Sequence, residues 1–206
     1  MINSSLPPYD TIRNQPTEFR HGIGILRTLS EFQHLISIRS SVFISEQKCP
    51  YREEFDGNDF CGTHLLAYDH GEPVGSLRIR YFATFVKIER LCLLPAYRNS
   101  TIAFRLVRAA HIFCAEKGFT KFYGHAQHGL ENFWSRFGAK PLKNRDKFIF
   151  SDHLYTEMLS QTPPHPDPIT LKKSAYVTIA PEGRWDMTGV LESSAKRGLN
   201  NDIALK

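Results

Sequence analysis

Val86-Lys87-Ile88-Glu89-Arg90-Leu91-Cys92-Leu93-Leu94-Pro95-Ala96-Tyr97-Arg98-Asn99-Ser100-Thr101-Ile102-Ala103 is the stretch that decides the fold. Val86 to Leu94 is mostly apolar and rich in β-formers, interrupted by Lys87, Glu89 and Arg90, as in a buried strand. Pro95 has no N–H to offer a ladder, so the strand stops there. Residues 96–100 are polar turn formers. From Ile102 the period becomes helical, through Leu106, Val107, Ala110, Phe113 and Cys114, and Gly118 stands where a C-cap glycine belongs. The first amides of that helix, near Ser100 to Ala103, lack intrahelical partners and lie at the positive end of the dipole. That is an anion site suited to phosphate. Arg98 adds a fixed positive charge beside it. By itself the unit fits any α/β protein.

The rest of the chain bounds the class. Its 206 residues suit one α/β domain with an appendage. Hydrophobic content of 41% and charged content of 23% are globular values. A net charge of +5 suits an anionic cofactor without arguing for nucleic acid. The sequence has no run of apolar residues long enough for a membrane span, and Met1 to Arg13 lacks the apolar core of a signal peptide. The four cysteines (Cys49, Cys61, Cys92, Cys114) have no metal-type spacing, so no metal is expected and a reduced, cytoplasmic chain fits best.

In chain order, residues 1–18 read as a mobile arm, 19–160 as the main domain, and 161–206 as a Pro-rich linker and C-terminal extension. Phe19 to Leu26 is a candidate strand. Ser30 is a plausible N-cap for a helix through Gln47, with Phe32, Leu35, Ile36, Val42 and Phe43 on its apolar face. At α-helical spacing Arg39 and Glu46 share one face beside Phe43, either lining a cleft or forming a peripheral ion pair. The acidic segment Cys49 to Gly62 reads as a solvated loop. A hairpin follows around His70-Gly71-Glu72. In its second strand Arg78 and Arg80 share a face, placed either to hold a carboxylate or to snorkel at an edge. Strands follow at 121–126, 148–150 and 154–159, with a short helix at 130–137. The order predicts one mixed sheet with helices on both faces, an α/β (α+β) arrangement. Beyond Pro163, Pro164, Pro166 and Pro168, residues 169–179 look strand-like. Tyr176 and Trp185 predict that this tail docks on the domain or on a partner subunit.

Three segments resemble the GNAT superfamily of N-acetyltransferases. The loop pattern Arg/Gln-x-x-Gly-x-Gly/Ala falls on Arg98, Thr101 and Ala103, with Thr101 in place of the middle glycine. Arg39, Val42, Phe43, Glu46 and Gln47 resemble the first helix of one GNAT branch. Asn132 to Ala139 resembles Phe-Tyr-x-x-x-Gly-Phe, with Trp134 where the family often has an acidic Tyr. The resemblance implies a GNAT-like acyl-CoA N-acyltransferase fold. It implies acyl transfer from acetyl-CoA or another acyl-CoA to a small-molecule amine or amino acid. The donor would lie on Leu91, Cys92, Leu93, Arg98, Asn99, Ser100, Thr101, Ile102, Ala103, Asn132 and Phe133. Arg39, Phe43, Glu46, Arg78 and Arg80 would face the acceptor.

Amine acylation needs a base, an oxyanion donor and a proton for the thiolate. Strand alternation puts Glu89 with Leu91 and Leu93, and desolvation there would raise its pKa, which makes it the leading base candidate. His125 and Glu46 compete with it, and Tyr123 or His125 would protonate the thiolate. Two alternatives stand beside the acetyl-CoA reading. One is a long-chain N-acyl amino acid synthase-like enzyme drawing on acyl carrier protein. The other is an acyl-CoA-binding sensor without turnover. A homodimer is compatible with all three.

Overall fold

The computed structural model describes residues 8–11 and 21–197. Eight strands form one sheet: β1 (His21–Ile25), β2 (Gly62–Asp69), β3 (Glu72–Tyr81), β4 (Val86–Leu93), β5 (Lys121–Gln127), β6 (Lys140–Pro141), β7 (Phe148–Phe150) and β8 (His153–Gln161). The order across it is β1-β2-β3-β4-β5-β8-β6, with β7 paired to β8. Only β4 and β5 run parallel. A parallel pair needs a crossover, and helix α3 (Ile102–Glu116) supplies it.

Each face of the sheet has its own apolar layer. On one side Leu106, Val107, Ala110, Phe113 and Cys114 of α3 pack on Ile23, Leu65, Leu77, Ile79, Val86 and Ile88. On the other, helix α1 (Leu29–Arg39) brings Leu35 and Ile38 onto Leu66 and Cys92. Helix α1 starts one turn-forming residue pair earlier than expected. Thr28, not Ser30, is its N-cap, in a capping box with Glu31. Past Arg39 the helix widens into a π segment, Ser40–Glu46. A π turn takes in more residues than an α turn, so the phase slips. Arg39 and Glu46 therefore do not share a face. Arg39 is fully buried, whereas Glu46 is exposed.

Three further expectations are corrected. The acidic segment is not a solvated loop: it holds helix α2 (Tyr51–Glu54) and a 3-10 turn, Asp59–Cys61, and buries Glu54 and Asp59. The N-terminal arm is packed where it is described, with Tyr9 and Asp10 buried; the remainder of 1–18, and Phe19 and Arg20, lie outside the described residues. Residues 175–179 are helix α5 (Ala175–Ile179), not strand. After helix α4 (Glu131–Ser135) and β8, the extension runs through α5 to helix α6 (Val190–Arg197).

That extension docks on the domain. Trp185 stacks on Phe113 at 5.5 Å, and Arg184 Nε donates to Asp10 Oδ2 at 3.0 Å. Gly183 has φ +74°, and a Cβ there would lie 2.3 Å from Ile25 Cδ1, so glycine is required for both conformation and space. Tyr176 is 43% exposed and takes no part in this docking layer. No helix among the described residues is long and apolar enough to cross a membrane.

Candidate active site

Strands β4 and β5 pair over only three residues, Val86 to Ile88 against Phe122 to Gly124. Beyond Ile88 the β5-facing edge of β4 has no partner strand. The gap is a cleft of about 620 Å³, within the usual range for a small-molecule site. A bulge sits at its centre. The β3–β4 register shifts between Ser76 and Arg78, and Arg90 adopts φ +53°. The extra residue inverts the alternation. Leu91 and Leu93 join the α3-side layer, while Cys92 joins the α1-side layer. Glu89 thus parts from Leu91 and Leu93, contrary to the simple alternation.

The α3 start flanks this gap. The amides of Asn99, Ser100, Thr101, Ala103 and Phe104 have no protein acceptor among the described residues. Ser100 Oγ donates to the Tyr97 carbonyl and accepts from the Ile102 amide, which shapes the loop. Thr101 has φ −81°, an ordinary value for any residue, so replacing glycine there costs the loop no strain. Leu91, Cys92, Leu93, Arg98, Ala103 and Phe133 line the cleft. Asn99, Ser100 and Thr101 do not line it; they contribute amides. Ile102 is buried core, and Asn132 is exposed outside the walls, which removes both side chains from the expected donor set. Arg98 forks onto Glu46, Nη1 to Oε1 at 2.6 Å, and its Nε donates to the Leu93 carbonyl. Its charge is therefore shared with a carboxylate rather than held free for phosphate.

Under the bulge lies a buried ionic cluster. Arg78, fully buried, donates to Asp56 at 2.6 and 2.9 Å, to Asp59 at 2.8 Å and to Glu89 at 2.8 Å. Arg39 binds Glu54 and reaches Asp59 at 2.5 Å. Arg90 lies 2.9 Å from Glu54. Burial pushes the Asp56 and Asp59 carboxyls up, but their arginine bonds outweigh it and hold both below the usual range. For Glu54 burial wins, and its carboxyl sits above its ordinary value. Arg39 and Arg78 are committed to this cluster: each guanidinium nitrogen of both is paired with a carboxylate or carbonyl, and neither side chain lines the cleft. Arg80 leans over the Phe82 ring and does not line the cleft. Of the expected acceptor side chains, Phe43 alone lines the cleft wall; Glu46 is committed to Arg98.

The same cluster disqualifies Glu89 as a tuned base. Burial raises its carboxyl, but Lys87 at 2.8 Å and Arg78 at 2.7 Å overcome that and hold it low. A carboxylate held low by fixed cations is a weaker proton acceptor.

His125 does line the cleft, and burial, helped by Lys87, lowers its pKa to about 4. Its ring is neutral at pH 7. Tyr123 OH donates to Glu157 Oε1 and lies 2.8 Å from His125 Nε2. A phenol has one proton, already given to Glu157, so the bond from His125 must be Nε2–H to the Tyr123 oxygen. Nδ1 then carries the lone pair, and it has no hydrogen-bond partner among the described residues. Tyr123 itself stays out of the cleft, and burial together with Glu157 pushes its phenol well up. Its oxygen lies 2.8 Å from His125 Nε2 and so holds that ring in place.

The far wall comes from the β7–β8 hairpin, whose part the sequence did not signal. Phe148, Phe150 and Tyr155 line the cleft with Ser151 and Glu53. Phe148 stacks on Tyr155 at 5.8 Å and meets His125 edge-on at 4.8 Å. The aromatic pattern of 148–155 was visible; its approach to α2 was not. No group of three metal-ligating side chains occurs among the described residues.

The acetyltransferase (GNAT) family model matches residues 31–139, more than half of the chain. A Bacillus subtilis (strain 168) protein named as an acetyltransferase is 36% identical over 106 residues, 50% of this chain and 72% of that one. Escherichia coli (strain K12) ElaA is 30% identical over 121 residues, 56% of this chain and 78% of its own. The crystal structure of Escherichia coli ElaA superposes with TM-score 0.62 at 25% identity over 68% of this chain and 99% of that one. A structure of an acyl-CoA N-acyltransferase from Pseudomonas aeruginosa gives TM-score 0.60 at 26% identity over 68% and 98%. The splayed parallel pair and the uncapped helix start thus sit inside the matched segment, and the chain is an enzyme of the acetyltransferase (GNAT) family.

Proposed function

We propose that this enzyme transfers an acetyl group from acetyl-CoA to a primary amine. The observation that carries it is the break in β4–β5 pairing after Ile88, shortly before a helix start where the amides of Asn99, Ser100, Thr101, Ala103 and Phe104 have no protein acceptor among the described residues. The pyrophosphate binds those amides, as anions do at helix starts. The thioester lies along β4, where the unpaired strand edge offers backbone N–H groups to the developing oxyanion. The amine nitrogen attacks the carbonyl carbon, and the C–S bond breaks. The ammonium proton leaves to solvent; His125, held to about 4 by burial and by Lys87, is too weak a base to keep it. The Tyr155 hydroxyl, on the cleft wall, solvates the departing sulfur before solvent protonates it. Trp134 at the wall is a donor without acid function.

Calorimetric titration with acetyl-CoA, followed by thiol release with an amine panel, tests this. Binding below about 1 mM, the upper end of ordinary enzyme affinities, is expected. No binding at that concentration overturns the proposal. Binding without thiol release from any amine would make the chain a sensor.

A further inference from the structure

The acceptor side of the cleft has an uneven charge balance. Four carboxylates line it: Glu53, Glu54, Asp56 and Glu89. Three are neutralised within the protein, Glu54 by Arg39 and Arg90, Asp56 by Arg78 and Arg90, and Glu89 by Arg78 and Lys87. Glu53 differs. Its carboxylate accepts a hydrogen bond from Ser151 Oγ and has no cationic partner among the described residues. Arg90 and Lys87, the cleft-lining cations nearest in the cluster, are already committed to other carboxylates. Arg52 also lines the cleft, but it is exposed and its charge is solvated.

The position of Glu53 is built, not incidental. Ser151 holds φ +47° and Asp152 φ +61°, a left-handed pair at the β7–β8 turn with no glycine or asparagine in it. Such a turn is strained for residues with a Cβ and persists where its surroundings enforce it. Here Ser151 Oγ touches both Glu53 and Cys49 Sγ, the latter at 3.1 Å, and so ties the hairpin tip to α2. The tie brings Glu53 onto the same cleft as Phe148, Phe150 and Tyr155, and Phe148 in turn touches His125 and Tyr155. Glu53 offers an ammonium its charge, and the rings of Phe148 and Tyr155 offer its body an apolar wall; the Phe150 face is already met by Arg90, 6.0 Å from its centroid.

We infer that the acceptor is a primary ammonium on an apolar, ring-sized body without a carboxylate, received by Glu53 against the Phe148–Phe150–Tyr155 wall. The inference rests on the acyltransferase proposal and specifies its second substrate. An α-carboxylate on the acceptor would bring a second negative charge next to Glu53, with no uncommitted buried cation to meet it.

The experiment is amine binding to the CoA-loaded protein by calorimetry, with phenethylamine, 2-phenylethanol and phenylalanine as probes. Acetyl-CoA binding is measured first and separately, so loss of donor binding reports on the acyltransferase proposal rather than on Glu53. Phenethylamine should bind at least tenfold tighter than either 2-phenylethanol or phenylalanine. Glu53→Gln should weaken phenethylamine about tenfold and leave 2-phenylethanol and acetyl-CoA within twofold. Ser151→Ala, which removes the tie but keeps the charge, should weaken phenethylamine by a smaller factor, about two to five. Equal affinity for the amine and the alcohol, no phenethylamine binding, or tighter binding of phenylalanine would each overturn the inference. So would Glu53→Gln binding phenethylamine as well as the wild type.

Discussion

Replacing Glu89 by glutamine should cost stability and little chemistry. Glu89 is 8% exposed and accepts from Arg78 at 2.7 Å and Lys87 at 2.8 Å. Removing the charge keeps the shape of the side chain but weakens those bonds. Breaking a buried ion pair outright costs about 3–5 kcal/mol. The loss here is smaller, because Arg78 keeps Asp56 at 2.6 Å and Asp59 at 2.8 Å, and Lys87 reaches solvent. Hydrogen bonds to charged groups contribute about 1.5–3 kcal/mol. We take about 2 kcal/mol, which for a chain of this size lowers Tm by about 4–8 °C. Thermal melts at pH 7.5 and initial rates with a competent amine, compared between wild type and Glu89→Gln, check it. The rate should fall less than about tenfold, below the usual contribution of a general base. An unchanged Tm together with a loss of about 10²–10⁴ in kcat, and the vanishing of the ascending limb of the pH profile, would refute the structural role and restore Glu89 as the base.

Three further outcomes are expected. Glu46→Ala frees Arg98 from its exposed ion pair and should tighten acetyl-CoA about two- to fivefold, a small gain because exposed pairs are weak; weaker binding by titration would show that the pair itself shapes the loop. Thr101→Gly should leave donor affinity within about twofold, because Thr101 already has φ −81° and makes no side-chain cap; a large change in the same titration would mean the hydroxyl meets phosphate. Stability should fall as pH drops from 6.5 towards 4. Burial holds His125 and His111 to about 4 when folded, so the unfolded chain binds more protons across that window, and among the carboxyls of the described residues Glu54, shifted upward, works against them. Urea midpoints at pH 7.5, 6 and 5 should decline in order, and a flat or rising series contradicts the assignment.

Local pattern was enough for the frame of this protein. The β4–Pro95–α3 unit, the hairpin around Gly71 and the helical face of 102–114 are written in periodicities of two and 3.6, which neighbours in sequence impose on each other. The resemblance to GNAT enzymes followed from the same stretch. What it could not contain is phase. The bulge at Arg90 moves Leu91 and Leu93 off the Glu89 side of the strand, and the π segment after Arg39 turns Glu46 away from Arg39. Glu89 left the leucine face, and Arg39 parted from Glu46. Charge partnership was equally out of reach. Asp56 and Asp59 lie 22 and 19 residues from Arg78, and Ser151 lies 98 from Glu53. An ion pair forms over a few ångströms of space, not along the chain, so which carboxylate is neutralised and which is left for a substrate was decided only when the sheet brought α2, β4 and the β7–β8 hairpin together.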